Sequence, residues 1–226
     1  VSVELVEIGG EPVLLLPQKA LYWPRAKTLV VADIHFGKAA SFRALGVPVP
    51  RGTTSQNLDA LDQLVALYGA GRIVFLGDFL HARAAHAPAT QAALLAWRQR
   101  HPALRLTLVR GNHDRHAGDP AGPLAIEMVD EPYQAGPFSL CHHPDLDPPG
   151  YALAGHVHPV FLLATRFEAL RLPCFVVGPR RMILPSFGAF TGGHLIAPDL
   201  HDGIYVSSGE AVHCVRQRTD WGSAQQ

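Results

Sequence analysis

The sequence is short of cysteine. Its 226 residues hold three, Cys141, Cys174 and Cys214, widely spaced and with no CxxC. A disulfide framework is therefore not expected, and a reducing, cytoplasmic setting fits. Long apolar runs are missing too: none approaches the ~20 residues that cross a bilayer, so no membrane association is expected. No signal-peptide pattern opens the residues given. Excess charge is absent, with 19 Lys plus Arg against 19 Asp plus Glu. That balance argues against a broad electrostatic footprint for nucleic acid and leaves room only for a local basic groove. HExxH and Walker A motifs are lacking, so a zinc protease or a P-loop enzyme has no support. Repeats, low-complexity tracts and linkers are also absent. With 48% hydrophobic residues the chain can bury a sizeable core. A single domain over residues 1–216 with a frayed polar tail, 217–226, is the simplest partition.

What the sequence does have is histidine, 13 of them. Their placement matters more than their number, because several follow apolar runs directly. Val1 to Ile8 and Pro12 to Leu16 read as a hairpin around Gly9-Gly10. Leu21 to Lys27 reads as a loop, with Pro24 opposing regular structure. Thr28 to Ala32 is an apolar strand ending in Asp33-Ile34-His35. In extended geometry Asp33 and His35 share a side, and carboxylate plus imidazole suits a divalent transition ion. Phe36 to Arg51, broken by Gly37, Gly46, Pro48 and Pro50, reads as a long irregular loop or lid. Leu58, Leu61, Val65 and Tyr68 lie at helical spacing and read as core.

Ile73 to Leu76 is a second buried strand, ending at Gly77-Asp78, and Pro88 opens an Ala- and Leu-rich helix to Arg100. Leu104 to Val109 is a third strand, feeding Arg110-Gly111-Asn112-His113-Asp114. Phe138 to Cys141 runs into His142-His143, and Tyr151 to Ala154 runs into Gly155-His156-Val157-His158. From Pro159 on, short apolar runs between Gly and Pro turns predict β structure. Strands alternating with helices predict an α/β domain with a parallel component. In such sheets, sites lie outside the carboxyl ends of strands.

These five strand ends, in this order, resemble the calcineurin-like metallophosphoesterases, whose signature is DxH, GD, GNH[DE], H and GHxH. The resemblance implies an α/β metallophosphoesterase fold: a β-sandwich of two mixed sheets flanked by helices, with a dinuclear metal site at strand C-terminal ends. Such sites hold two divalent ions roughly 3.5–4 Å apart that clamp a phosphoryl group and activate water. It further implies Asp33, His35 and His158 at one ion, Asn112, His142 and His156 at the other, and Asp78 between them. His142 rather than His143 takes the ligand place, because the family usually has Gly after that His. His113 is implied to face the substrate phosphate and serve the leaving oxygen. Asp114 either orients His113 or caps the turn. The mixed O/N set fits Mn²⁺ best, with Fe or Zn as alternatives.

A finer likeness runs through Asp33 to Lys38, Arg43 to Pro48, Gly77 to His81, Cys141 to Pro144 and Leu184 to Gly193. These segments look like the bacterial ligase-associated DNA-damage-response endonucleases. That implies a phosphodiesterase on DNA, single-stranded or flapped, working beside a repair ligase, an exonuclease and a helicase. His81, Arg110 and Arg115 are substrate-binding candidates, and Arg43, Arg51 and Arg83 could also rim the site. Phe36 and Phe42 could stack bases. The alternatives are a small-molecule phosphoesterase on nucleotides or cyclic nucleotides and a non-catalytic binding subunit. The latter predicts missing ligands, and none is missing.

Overall fold

In a computed structural model, residues 2–49, 52–164, 166 and 168–218 are described, without the side chain of Ala44. The expected tail therefore falls mostly outside the described residues, as does Arg51.

Seven strands form a first mixed sheet in chain order: β1 (Glu4–Ile8), β2 (Glu11–Leu16), β3 (Ala20–Trp23), β4 (Thr28–Ala32), β5 (Arg72–Leu76), β6 (Arg105–Val109) and β7 (Ile126–Val129). The first four pair antiparallel, and β4 to β7 pair parallel. The parallel crossovers carry helices α1 (Lys38–Ala44), α2 (Thr53–Tyr68), α3 (Pro88–Arg100) and α4 (Asn112–Ala117). A second mixed sheet holds β8 (Tyr133–Ala135), β9 (Phe138–Leu140), β10 (Tyr151–Ala154), β11 (Pro159–Ala164), β12 (Ala169–Val177), β13 (Arg181–Ile183), β14 (His194–Leu195), β15 (Gly203–Ser207) and β16 (Val212–Arg216). The expected pair of mixed sheets with flanking helices is what the chain forms.

The central strands are apolar along most of their length, as in Leu29 to Ala32 and Ile73 to Leu76, because both faces are covered. Leu29 and Val31 of β4 pack with Leu58, Leu61, Leu64, Leu94 and Trp97 of α2 and α3. Val30 and Ala32 point the other way, onto Phe138, Leu140, Leu153 and Phe175 of the second sheet. At ~25 cal/mol per Å² of buried apolar surface, these two layers supply the main stabilisation.

Three expectations fail here. Residues 20–23 form β3, because Leu21 and Tyr22 gain a partner strand on each side and Pro24 lies beyond the strand end. The Phe36 to Arg51 stretch is not irregular throughout: it contains α1, opened by Gly37 at φ 77°. Phe36 is buried and its backbone bridges Leu80, so it is core and unavailable for base stacking.

Candidate active site

The parallel strands of both sheets end at one place. Asp33 and His35 follow β4, Asp78 follows β5, Asn112 follows β6, His142 follows β9, and His156 and His158 follow β10. The sheets touch there through a bridge between Ala32 and Ser186. All seven ligand candidates are thus brought together.

Convergence does not come from a continued pleat, as the alternation of Asp33 and His35 suggests. Asp33, His35, Asp78, His156 and His158 have φ of 53°, 49°, 50°, 69° and 51°. Each left-handed L residue costs about 1–3 kcal/mol and persists only where its surroundings over-determine it. The strands end in sharp reversals, and each reversal turns one side chain inward. Two glycines make room for this. At Gly77, φ 77°, a Cβ would fall 2.0 Å from His142 Nδ1; at Gly111 it would fall 2.4 Å from Asp78 Oδ1.

The polar atoms then sort into two sets joined by one carboxylate. His35 Nε2 lies 3.4 Å from His158 Nε2 and 3.7 Å from Asp78 Oδ2. His158 Nε2 is 3.7 Å from Asp33 Oδ1. On the other side, His142 Nε2 lies 2.9 Å from Asn112 Oδ1, 3.0 Å from His156 Nδ1 and 3.6 Å from Asp78 Oδ1. Asp78 therefore turns one oxygen to each set. Asp33 Oδ1 is buried without a hydrogen-bond partner. Donor triplets within 4.8 Å include Asp33, His35 and His158, and also Asp33, Asp78 and His142. An orphaned buried oxygen and imidazole nitrogens facing one another fit a cation.

Hydrogen bonds on the far side of two of these rings select the nitrogen that faces inward. His142 donates from Nδ1 to Leu76 O at 3.1 Å, and His158 from Nδ1 to Gly192 O at 3.2 Å. Burial, and then the neighbouring His158, pushes His35 far below its ordinary value, to about 2. That keeps the ring neutral, as a ligand must be. Burial, reinforced by Asp33, raises Asp78 to about 6.

His113 donates from Nδ1 to His81 O at 2.7 Å, which leaves Nε2 at 4.0 Å from Asp78 Oδ2. His81 stacks on it, ring centroids 4.9 Å apart, and comes within 3.4 Å of His35 Nδ1. Phe42 packs on His81 and Phe190. Asp114 gives its carboxylate to the backbone N–H groups of Gly111, Phe79 and Leu80, at 2.9–3.1 Å. It ties two motif loops together and has no bond to the His113 ring. Arg110 pairs with Asp119 and Asp130, and Arg115 with Asp130, so both guanidinium groups are engaged outside the cluster.

His143 also nears the second set, its ring centroid 4.6 Å from that of His156. Its Nδ1 is held by Glu131 Oε1 at 2.7 Å, while Glu131 Oε2 accepts from the N–H of His142 and of His143. Burial pushes Glu131 up, but these bonds outweigh it and hold the carboxyl below its ordinary value. Glu131 escaped sequence reasoning. So did Ser186, which donates to Asp33 O at 2.7 Å, and Asn57, which donates to Ile34 O and accepts from Ala189 N–H. None sits in the five metal-ligand motifs, although Ser186 falls in the Leu184 to Gly193 segment of the finer likeness. The one available signal was an Asn in the otherwise apolar stripe of α2, buried beside Leu58.

Residues 26–155 match the model of the calcineurin-like phosphoesterases. The chain belongs to this family. As a calcineurin-like phosphoesterase it is a hydrolytic enzyme of a family that uses divalent metals. The crystal structure of Pseudomonas putida nuclease MPE is similar at 46% identity, covering 91% of this chain and 97% of that one, with a TM-score of 0.82. A protein of unknown function from Aquifex aeolicus matches at 22% identity over 58% of this phosphoesterase and 78% of its own chain, TM-score 0.40. The E. coli phosphoesterase YfcE matches at 15% over 78% and 86%, TM-score 0.41. Neither of these low scores informs the site. No curated protein matches the chain.

Proposed function

We propose that this phosphoesterase is a metal-dependent nuclease that hydrolyses phosphodiester bonds of DNA, single strands in particular, in DNA repair. The observation that carries the substrate class is the 46% identity with a nuclease over 91% of the chain. The two-sided Asp78, with one oxygen toward each nitrogen set, supports two metal places. Asp33, His35 and His158 would hold one ion, Asn112, His142 and His156 the other, and Asp78 both. When bound, such ions supply positive charge to the phosphoryl oxygens and a water activated for attack. Mn²⁺ fits the mixed O/N donors.

The chain's own residues do the rest. His113, fixed by the His81 carbonyl, presents Nε2 to the phosphate and gives a proton to the leaving oxygen. His81 shields that ring from water on its stacked face. Asp114 acts through the backbone, holding the turn that sets Asn112 and His113. Phe42 and Phe190 form an apolar wall beside the reacting group. The phosphoesterase would work in the cytoplasm beside a repair ligase, exonuclease and helicase. Arg110 and Arg115, engaged with Asp119 and Asp130, can reach substrate only by exchanging those partners.

The test offers Mn²⁺-loaded protein a single-stranded DNA circle, a cyclic nucleotide and an aryl phosphodiester. The reading expects the circle to be cut, and the cut to be lost in Asn112→Ala. An intact circle alongside cyclic-nucleotide turnover would make the protein a small-molecule phosphoesterase.

A further inference from the structure

The chain is neutral overall, yet its surface is not uniform. One groove of about 640 Å³ opens beside His158 and runs between Lys19 on one side and Arg171 on the other, along the 186–193 loop. No carboxylate lines it. By contrast, a cavity of about 540 Å³ elsewhere is lined by Asp145, Asp147, Asp199 and Asp202 as well as two arginines. The groove is thus a local concentration of positive charge on a protein with none to spare, and it begins at a side chain of the metal cluster.

Its two cations are anchored without being neutralised. Lys19 Nζ donates to Gly188 O at 3.1 Å, and Arg171 Nη2 donates to Gly193 O at 3.1 Å. Among the described residues, neither has a carboxylate partner. Each carbonyl bond fixes direction and leaves the charge uncompensated. Lys19 is mostly buried, and burial lowers its amine to about 8, so an anion in the groove would relieve an unpaired buried charge. In the same loop the carbonyl of Gly192 accepts from His158 Nδ1. Groove and metal cluster therefore share one wall.

Resting on the nuclease reading, we infer that this groove is the track for a nucleic-acid strand leading from the scissile phosphate, with Lys19 and Arg171 meeting flanking backbone phosphates. The remaining lining is small or apolar: Gly188, Ala189, Thr191, Gly192, Gly193 and Val160. Such a wall lets a sugar-phosphate backbone approach and offers little to read bases. The contact is therefore sequence-independent and salt-sensitive.

The test compares wild type with Arg171→Ala, Arg171→Lys and Lys19→Met on two substrates, a single-stranded oligonucleotide and an aryl phosphodiester too short to reach the groove. The ratio of DNA to aryl kcat/KM falls several-fold in Arg171→Ala and Lys19→Met, and Arg171→Lys recovers part of it. The slope of log affinity against log salt, for oligonucleotide binding to metal-free protein, drops by about 0.7 per cation removed. Arg171 is exposed, so its variants keep the fold even if Lys19→Met does not. An unchanged salt slope and an unchanged substrate ratio in Arg171→Ala overturn the track while leaving the nuclease reading intact. Failure of wild type to cut DNA while it turns over the aryl diester overturns the nuclease reading and the track with it.

Discussion

Asp62 and Asp33 are both aspartates among histidines and other polar groups, and they are built on opposite principles. Asp62, on α2, accepts hydrogen bonds from Trp97 Nε1, Arg100 Nη2 and His101 Nε2, at 2.5, 2.9 and 2.6 Å. Every acceptor there meets a donor. Asp33 accepts one bond, from His156 N–H at 2.8 Å, and its other oxygen is buried and orphaned. Around it stand Asp78 and imidazole nitrogens whose donors are already used on the far side. The first cluster is complete as a polypeptide. The second lacks positive charge at its centre, and its left-handed residues show that the backbone is strained to create that lack. Residue type does not separate the two; the direction of the protons does.

The strongest way to break this contrast is at Asp78. If it serves both metal places, Asp78→Ala loses both ions and all activity, while the protein stays folded because the helix-facing and sheet-facing layers do not depend on it. Metal content by mass spectrometry and a thermal melt check this. Retention of two ions per chain in that variant would show that the centre is not organised around Asp78. His113→Ala comes next. Both ions stay and turnover falls by about 10²–10⁴-fold, the range for a lost general acid. Loss of metal in that variant would move His113 into the coordination set.

The contrast also explains what was legible in the sequence. Buried strands could be read because two covered faces demand unbroken apolar runs, as in Val30-Val31 or Val74-Phe75-Leu76. Ligand candidates could be read because each stands at the end of such a run. β3 could not, because Ala20 to Trp23 is short and stabilised only by strands on either side of it. Nor could α1, whose seven residues are opened by a left-handed glycine rather than by a side-chain cap. The positioning residues Glu131, Ser186 and Asn57 bond to groups distant in sequence, and only Asn57, polar within a buried apolar stripe, is marked locally. The local sequence at Asp114 left two roles open, and only the donors supplied from Phe79 and Leu80 show what its carboxylate touches.

Proton linkage gives a smaller, graded effect. Burial raises Asp78 to about 6 in the metal-free protein, so below that pH a cation must displace a proton from it. Metal affinity is then flat above about pH 6 and weakens by about tenfold per pH unit below it, for one displaced proton. Calorimetric titration with Mn²⁺ from pH 5 to 8 measures this. Protons released per chain should rise toward the acid end. Affinity independent of pH would mean that Asp78 is already ionised in the free protein.

The smallest expected effect lies in the complete cluster. Burial pushes Asp62 up, but its bonds from Arg100, His101 and Trp97 outweigh this and hold the carboxyl below its ordinary value of 3.8. A depressed folded value means the stabilisation is present above the unfolded value and is lost as pH falls through the folded one. The side chain is 29% exposed, so solvent screens the pair with Arg100. Asp62→Asn is therefore expected to cost no more than about 1 kcal/mol at pH 7, and to leave metal content and DNA cleavage unchanged. Thermal melts at pH 7 and pH 3 should show a smaller acid-induced drop in Tm for the variant than for wild type. If Asp62→Asn instead lowered metal content, the two clusters would be coupled through α2. Asn57, on the same helix and bonded to Ile34 O between Asp33 and His35, is the residue through which that coupling would have to pass.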